Sequence, residues 1–305
     1  MNNPQPHHSK SSAGSATGLA TGPVTPSPRF SHSRSQPATL PPLLLTIVTV
    51  SIVLLIVVGG ALFCFPELAQ SRWVWPLKPF NTRFLGAIYL TALVGLASLI
   101  VSRRIVLIRL VIPMMWVFTT IVLMVSCLQI QQFNPGRRAT DIWFWLYLVD
   151  CVGASYYWGY FRFHTYTELR RLPGLWPMGL GFQSGVLGAY GLSLLFAPVA
   201  AGGAWLWPLD VFHSQLYSAI FLTGSVGSAL LSRQASAVET RALGAVQVTF
   251  SSLVLLGIWL VDREVQVIDW GLWVNWMWVV AIALLGLIGL GLIKQSTLEK
   301  SANNS

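Results

Sequence analysis

Eight apolar blocks, separated by short segments that carry most of the charge, constrain the fold of this chain more than any other feature. They run over Pro42–Cys64, Thr82–Ser102, Ile105–Cys127, Ile142–Phe161, Gly179–Pro198, Leu209–Leu231, Thr240–Val261 and Leu272–Ile293. A helix needs about 20 apolar residues to cross a bilayer. Backbone exposed to lipid must also satisfy its own hydrogen bonds, which favours helices over open strands. The sequence therefore predicts an all-α integral membrane bundle of eight transmembrane helices.

The composition agrees with a membrane protein rather than a soluble one. Hydrophobic residues make up 54% of the chain and charged residues 10%, with a mean hydropathy of +0.63. A soluble domain carries about 25% charged residues. The net charge of +9 lies mostly between the apolar blocks, where it bears on orientation in the membrane. We therefore predict the lipid bilayer as a partner and no nucleic acid.

Lysine and arginine predict the orientation of the bundle. If the N-terminus is cytoplasmic, 13 of the 19 Lys and Arg residues fall on the cytoplasmic side, as the positive-inside rule favours. Residues 1–40 are rich in Ser, Pro, Thr and Gly and are predicted to be a disordered cytoplasmic tail. Residues 294–305 are predicted to be a cytoplasmic C-terminal tail. The predicted location is the cell membrane, with both termini inside.

A near-repetition divides the chain into two halves. The segment "WVWPLKPF" at residues 73–80 returns as "WLWPLDVF" at residues 205–212, and 13 of 27 positions from Trp73 to Leu99 are identical at an offset of 132. The sequence thus predicts two tandem four-helix repeats, over residues 41–172 and 173–293. The duplicated unit and its Trp-x-Trp-Pro-Leu corner loosely resemble bacterial polytopic membrane proteins that carry such a corner. That resemblance implies no activity.

The tryptophans of the corner have two interpretations. Indoles are stable at headgroup level, which favours an aromatic belt beside a proline turn. Yet 11 of the 14 tryptophans fall on the predicted outer half, whereas a belt should populate both interfaces. The alternative is an outer aromatic face that binds a lipid-like molecule or a partner helix, formed by Trp73, Trp75, Trp205 and Trp207.

Asp150 is the carboxylate predicted to lie deepest in the bilayer. Its counterpart in the second repeat is Ile282, so the repeat itself does not require an acid. Such a residue usually faces the bundle and has a partner. Tyr147 and Tyr157 are candidate partners on the same helix, and Gly153 leaves room. Asp150 is interpreted either as a protonated, hydrogen-bonded group or as a proton-, cation- or ligand-handling group.

Three further residues are candidates for polar roles. His213, near the start of the sixth block, is expected to be a hydrogen-bonded interfacial residue rather than a metal ligand. Arg109 and Arg241 occupy equivalent positions in the two repeats, near the cytoplasmic side. They are predicted to extend to the headgroups, with contacts to anionic lipid as the alternative.

No catalytic motif is recognisable in the sequence. It lacks HExxH, a phosphate-binding Gly-Lys-Ser/Thr loop, GxSxG and CxxC. We therefore predict a protein that is not an enzyme, with no catalytic residue, no metal site and no identifiable cofactor. Two functions remain. One is to bind or move a small, largely apolar molecule between the two halves. The other is to serve as a non-catalytic scaffold or accessory subunit, with membrane partner subunits.

Overall fold

The structure, a computed structural model, describes residues 40–302 apart from residues 165 and 167. The predicted tail over residues 1–40 therefore lies, except for Leu40, outside the described residues. Regular structure in the described range is helical, and its only β pairing is an isolated bridge between Arg170 and Ala235.

The helices of the first half follow the apolar blocks. Helix α1 continues through a π-helical turn at Leu55–Gly59 into α2, so these elements form one rod over Pro42–Cys64. We call this segment the first rod. The bounds of the helices are α1 Pro42–Leu54, α2 Gly60–Cys64, α3 Pro66–Arg72, α4 Pro79–Ser102, α5 Ile108–Leu128 and α6 Arg138–Phe161.

The second half repeats this order of long and short helices. Its helices are α7 Trp176–Phe196, α8 Pro198–Gly202, α9 Val211–Arg233, α10 Ala237–Val265 and α11 Trp273–Ala302. Helix α11 runs beyond the predicted block, so the predicted C-terminal tail is helical from residue 294 through Ala302.

Prolines determine where several helices begin. Pro42, Pro66, Pro79 and Pro198 each occupy the first turn of a helix, where the missing N–H costs no hydrogen bond. A residue before proline is also biased away from the helical region. This bias explains the break between α2 and α3 and the break between α7 and α8. Helix α4 begins at Pro79 rather than at Thr82, because proline is well suited to the first helical position.

Six helices in the described part of the chain are long and apolar enough to cross a membrane. They cover Pro42–Cys64, Pro79–Ser102, Ile105–Leu128, Trp176–Phe196, Ala237–Val265 and Trp273–Glu299. The chain therefore has the make-up of a multi-pass membrane protein. Helices α6 and α9 are also long, at 24 and 23 residues, but are less apolar.

The long helices pack in two layers, and each layer mixes helices from both halves. In one layer the first rod, α4, α10 and α11 follow one another; in the other the order is α6, α5, α9 and α7. Across the layers the first rod lies over α6, where Ser51 contacts Asp150. At the opposite edge α11 lies over α7, where Trp278 contacts Tyr190. We use "corner end" for the end that carries both Trp-x-Trp-Pro-Leu corners, and "far end" for the other.

Candidate functional site

A cavity of about 380 Å³ lies between the two layers. Its wall is built mainly from the first rod, α4, α5 and α6 of the first half and from α9 and α10 of the second half. The lining is predominantly apolar, with side chains such as Leu54, Val58, Met114 and Val246. Small-molecule pockets are typically about 300–1,000 Å³, mostly apolar and supplied with a few polar groups. The cavity has the size and the character of a ligand site.

The polar groups of the cavity lie near the middle of their helices. They come from both layers and from both halves of the chain: Ser51, Thr91, Thr119, Asp150, Thr223 and Gln247. Thr91 Oγ1 is engaged, since it donates to the Ala87 carbonyl at 2.7 Å. Thr223 Oγ1 and Gln247 Oε1 are buried and have no hydrogen-bond partner among the described residues. Two residues of the cavity wall thus carry buried polar atoms with unused hydrogen-bonding capacity.

Asp150 lines the cavity, as expected of an acid that faces the bundle. Its carboxylate accepts one hydrogen bond, from Ser51 Oγ at 3.3 Å. It forms no ion pair with any residue that the structure describes. A carboxylate in the middle of an apolar helix usually has a partner. The single long hydrogen bond from Ser51 contributes little stabilisation to a carboxylate. The acid thus borders the cavity with most of its hydrogen-bonding capacity unused.

Tyr147 also lines the cavity, but its hydroxyl is not bonded to Asp150. It hydrogen-bonds Tyr89 of α4 at 3.1 Å, and its ring packs on Trp143 at 4.5 Å between centroids. These three rings form an aromatic group on the corner-end side of Asp150. The predicted pairing of Asp150 with a tyrosine is therefore replaced by a Tyr–Tyr pair and a separate Asp–Ser pair.

Tyr157 and His213 do not join this site. Tyr157 is buried toward the far end, where it packs in a second apolar cluster with Phe161. The room beside Gly153 is taken by Ile47 of the first rod, whose Cδ1 would lie 3.3 Å from an added Cβ. His213 lies at the corner end, away from the cavity wall.

His213 is held by two hydrogen bonds that define its tautomer. The indole N–H of Trp75 donates to His213 Nε2 at 3.1 Å, so Nε2 is unprotonated and the proton lies on Nδ1. Nδ1 then donates to Asp210 at 2.7 Å. Burial alone would raise the pKa of Asp210, but hydrogen bonds from the His213 ring and backbone, together with Lys78, hold that pKa below its ordinary value. His213 is thus an interfacial residue that ties the two halves together.

The corner tryptophans lie inside the bundle, which corrects the expectation of a headgroup belt or exposed face. Trp75, Trp205 and Trp207 are buried, and Trp73 is half-buried. The contacts are reciprocal: Trp75 donates to His213 of the second half, and Trp207 donates to Asn81 of the first half at 2.9 Å. His213 and Asn81 are themselves separated by 132 residues. The two corners contact each other, so the indoles of Trp75, Trp205 and Trp207 are covered by protein.

The two arginines have different surroundings. The Arg109 guanidinium pairs with Glu239 at 2.9 and 3.2 Å and donates to the Gln234 carbonyl at 2.6 Å. Arg241 is exposed, and its Nε donates to Ser296 Oγ at 3.4 Å. The residue 132 positions before Glu239 is Leu107, so Arg241 has no equivalent carboxylate at that position. The Arg109 guanidinium thus has protein partners in the other half of the chain, whereas Arg241 lies at the exposed surface.

Glu239 is a structural residue that is absent from the candidates predicted from the sequence. Its side chain is fully buried, and it closes a capping box at the start of α10 with Ser236. The Ser-x-x-Glu spacing before an apolar run is a recognisable sequence signal for such a box. The ion pair with Arg109 joins α10 to α5 across the two halves, which no spacing in the sequence indicates.

The comparisons with known proteins are negative. The sequence matches no protein-family model, no curated protein and no solved structure. The long apolar helices alone define the class of this protein, which is a multi-pass membrane protein.

Proposed function

We propose that this protein binds or moves a small, largely apolar molecule between two pseudo-symmetric halves of an eight-helix membrane bundle. Helices α6 and α9 complete the eight spans, since both are long enough to cross and both pack beside apolar helices in their layers. The position of the cavity carries the proposal, because its wall combines polar and apolar residues of both halves.

Reciprocal contacts support the two-repeat design. Gly59 approaches Leu90 closely, and Gly191 approaches Leu222 in the same way; each pair is related to the other by 132 residues. The packing between halves follows the same rule, since α4 packs on α10 and its counterpart α9 packs on α5. In a twofold interface, each contact from the first half to the second recurs as the same contact from the second half to the first. Four crossings per repeat would place that axis along the membrane normal.

The proposed role is binding or transport rather than catalysis. Among the titratable groups near the middle of the cavity, Asp150 is bonded to Ser51, whereas Tyr147 and Tyr89 are bonded to each other. They therefore do not form the linked acid, base and nucleophile that a catalytic centre requires.

We expect a cavity-filling substitution to remove a bound molecule. Ala92 lines the cavity, so Ala92→Phe should occupy its volume with a ring. Wild type purified in mild detergent should carry a small molecule that mass spectrometry identifies, and the variant should carry much less of it. Ala281→Phe, on an exposed part of α11, is the matched control and should retain the molecule. Equal retention by both variants would contradict binding in this cavity.

The alternative role, a non-catalytic scaffold or accessory subunit, is favoured by exposed indoles. Five tryptophans on α6, α10 and α11 present large apolar surfaces outward: Trp145, Trp158, Trp259, Trp273 and Trp276. The same purification tests this role, since a stoichiometric partner subunit in place of a small molecule would support it.

The proposed orientation has both termini in the cytoplasm and the corner end outside. A reporter fused after Ser305 should report the cytoplasm, and one inserted at Gly136 should report the exterior. Gly136 is a suitable insertion point because it has a φ of +84° in a turn, with open space around it. Reporters for both compartments at each position provide the control. The reverse pattern would overturn the orientation derived from the charges.

A further inference from the structure

The two edges of the bundle are closed differently, although the repeats place equivalent helices there. At the edge between α7 and α11, Trp278 packs on Tyr190 at 5.7 Å and on Trp205 at 4.5 Å between ring centroids. Its indole N–H also donates to the Ala204 carbonyl at 2.8 Å. Large aromatic side chains therefore close this edge.

The equivalent edge, between the first rod and α6, carries smaller side chains. At the offset of 132 residues, Tyr190 corresponds to Val58 and Trp278 to Leu146. Both aliphatic residues line the cavity. The cavity thus lies next to the edge between the first rod and α6, where aliphatic side chains stand in place of the aromatic pair. The first rod also contains a π-helical turn at Leu55–Gly59, whereas α7 is α-helical at the equivalent positions. Such turns are frequent at functional sites.

This edge also connects the cavity to the surroundings of the bundle. Ile142 of α6 lines the cavity and is 61% exposed. Ile142, Leu146 and Asp150 recur every four residues, so they form one stripe along α6. The stripe leads from the exposed surface near the corner end to the carboxylate. Two helical turns, or about 12 Å, separate its ends.

Asp150, at the inner end of this stripe, favours a positively charged molecule in the cavity. Its counterpart at the closed edge is Ile282, which is buried. The carboxylate has only the bond from Ser51 and no cation among the described residues. Among the residues that the structure describes, the only other charged side chain in the cavity wall is Arg72, which lies at the corner end with Trp73. Aromatic faces attract cations, and several rings surround the volume next to Asp150: Tyr89, Phe118, Trp143 and Tyr147.

We propose that the cavity binds a lipophilic organic cation, which enters from the bilayer between the first rod and α6 and pairs with Asp150. A hydrophobic body with one positive charge satisfies both the apolar wall and the uncompensated acid. This inference rests on the proposed function, since it names the chemical class of the molecule bound in the same cavity.

Three probes of nearly equal shape and different charge test the proposal: tetraphenylphosphonium, neutral tetraphenylsilane and tetraphenylborate. Each is equilibrated with the full chain in nanodiscs of neutral lipid, and retention above protein-free nanodiscs is measured by mass spectrometry. Wild type should retain the cation best and the anion least. Asp150→Asn should weaken binding of the cation by about tenfold, the equivalent of about 1.4 kcal/mol, and leave the neutral probe unchanged.

The matched control is Asp141→Asn, which removes an exposed carboxylate from the same helix and should change nothing. The double substitution Val58→Tyr and Leu146→Trp copies the aromatic closure onto the open edge and should abolish retention of the cation. Normal retention by that variant would overturn the proposed route.

Equal retention of the cation and the neutral probe by wild type would overturn the charge preference while leaving the proposed function intact. That comparison needs no variant, so it stands even if Asp150→Asn fails to fold. Retention of none of the probes would also overturn the inference. The fate of the copurified molecule in Ala92→Phe would then decide the proposed function separately.

Discussion

Arg109→Met is expected to lower the free energy of unfolding by about 3–5 kcal/mol, the usual cost of leaving a buried charge without its partner. The Glu239 side chain is 0% exposed, and that of Arg109 is 19% exposed. Glu239 also accepts from the backbone and the hydroxyl of Ser236, so it cannot turn outward without losing the cap of α10. Unfolding in mixed micelles of dodecylmaltoside and SDS measures the loss.

Two further variants separate charge from packing at this pair. Arg241→Met alters the equivalent arginine, which is exposed, and should cost less than about 1 kcal/mol. The double variant Arg109→Met with Glu239→Gln removes both charges and should be more stable than Arg109→Met alone. If Arg109→Met and Arg241→Met prove equally mild, the ion pair does not stabilise the interface between the halves.

Gly244→Ala is expected to destabilise the protein by about 1–3 kcal/mol, the usual cost of overpacking. A Cβ at Gly244 would lie 2.6 Å from the Gly289 carbonyl oxygen, and one at Gly289 would lie 2.7 Å from the Gly244 carbonyl oxygen. Helices α10 and α11 therefore touch through their backbones, as small residues permit in membrane bundles. The new methyl group could be accommodated only if one helix moved.

Gly185→Ala is the matched control and should change stability in the opposite direction. Gly185 lies inside α7 with open space around it, so an added methyl meets no atom. Alanine is favoured over glycine in a helix interior by about 0.5–1 kcal/mol. Unfolding in mixed micelles of dodecylmaltoside and SDS measures both the expected loss of stability in Gly244→Ala and the expected gain in Gly185→Ala. A stabilising effect of Gly244→Ala would show that α10 and α11 are not in backbone contact.

The helices were predictable from the sequence because their signals are local. Apolar length and first-turn prolines are read along the chain, and the predicted block Pro42–Cys64 coincides with the first rod. The fifth block carries a series of glycines at every third position, Gly185, Gly188 and Gly191, and this series illustrates the limit of such signals. Gly188 and Gly191 do pack against α9, whereas Gly185 of the same series faces outward. Spacing gives the helix face, but only the packing of layers decides which part of that face is covered.

The candidate site was predictable only in part. Asp150 could be identified because a carboxylate in an apolar block is locally conspicuous, and Tyr147 because it lies one turn away. Thr223 and Gln247 could not, since a single Thr or Gln in a helix carries no signal until the opposite wall is known. The burial of the corner tryptophans could not be predicted for the same reason. Their burial depends on a contact with the other half, and local sequence favours the interface for any indole near a helix end.

The mixing of both halves in each layer has a consequence for biosynthesis. A ribosome adds about 5–20 residues per second, so the helices of the first half emerge several seconds before α10 and α11. Until α10 emerges, α4 lacks one of the two helices beside it in its layer, and until α9 emerges, Trp75 lacks its acceptor, His213 Nε2. The helices of the first half are therefore made before the surfaces that cover them in the folded protein. Assembly of both layers is completed only when the last pair of helices arrives, so a chain truncated before α10 should be recognised as unfinished by membrane quality control.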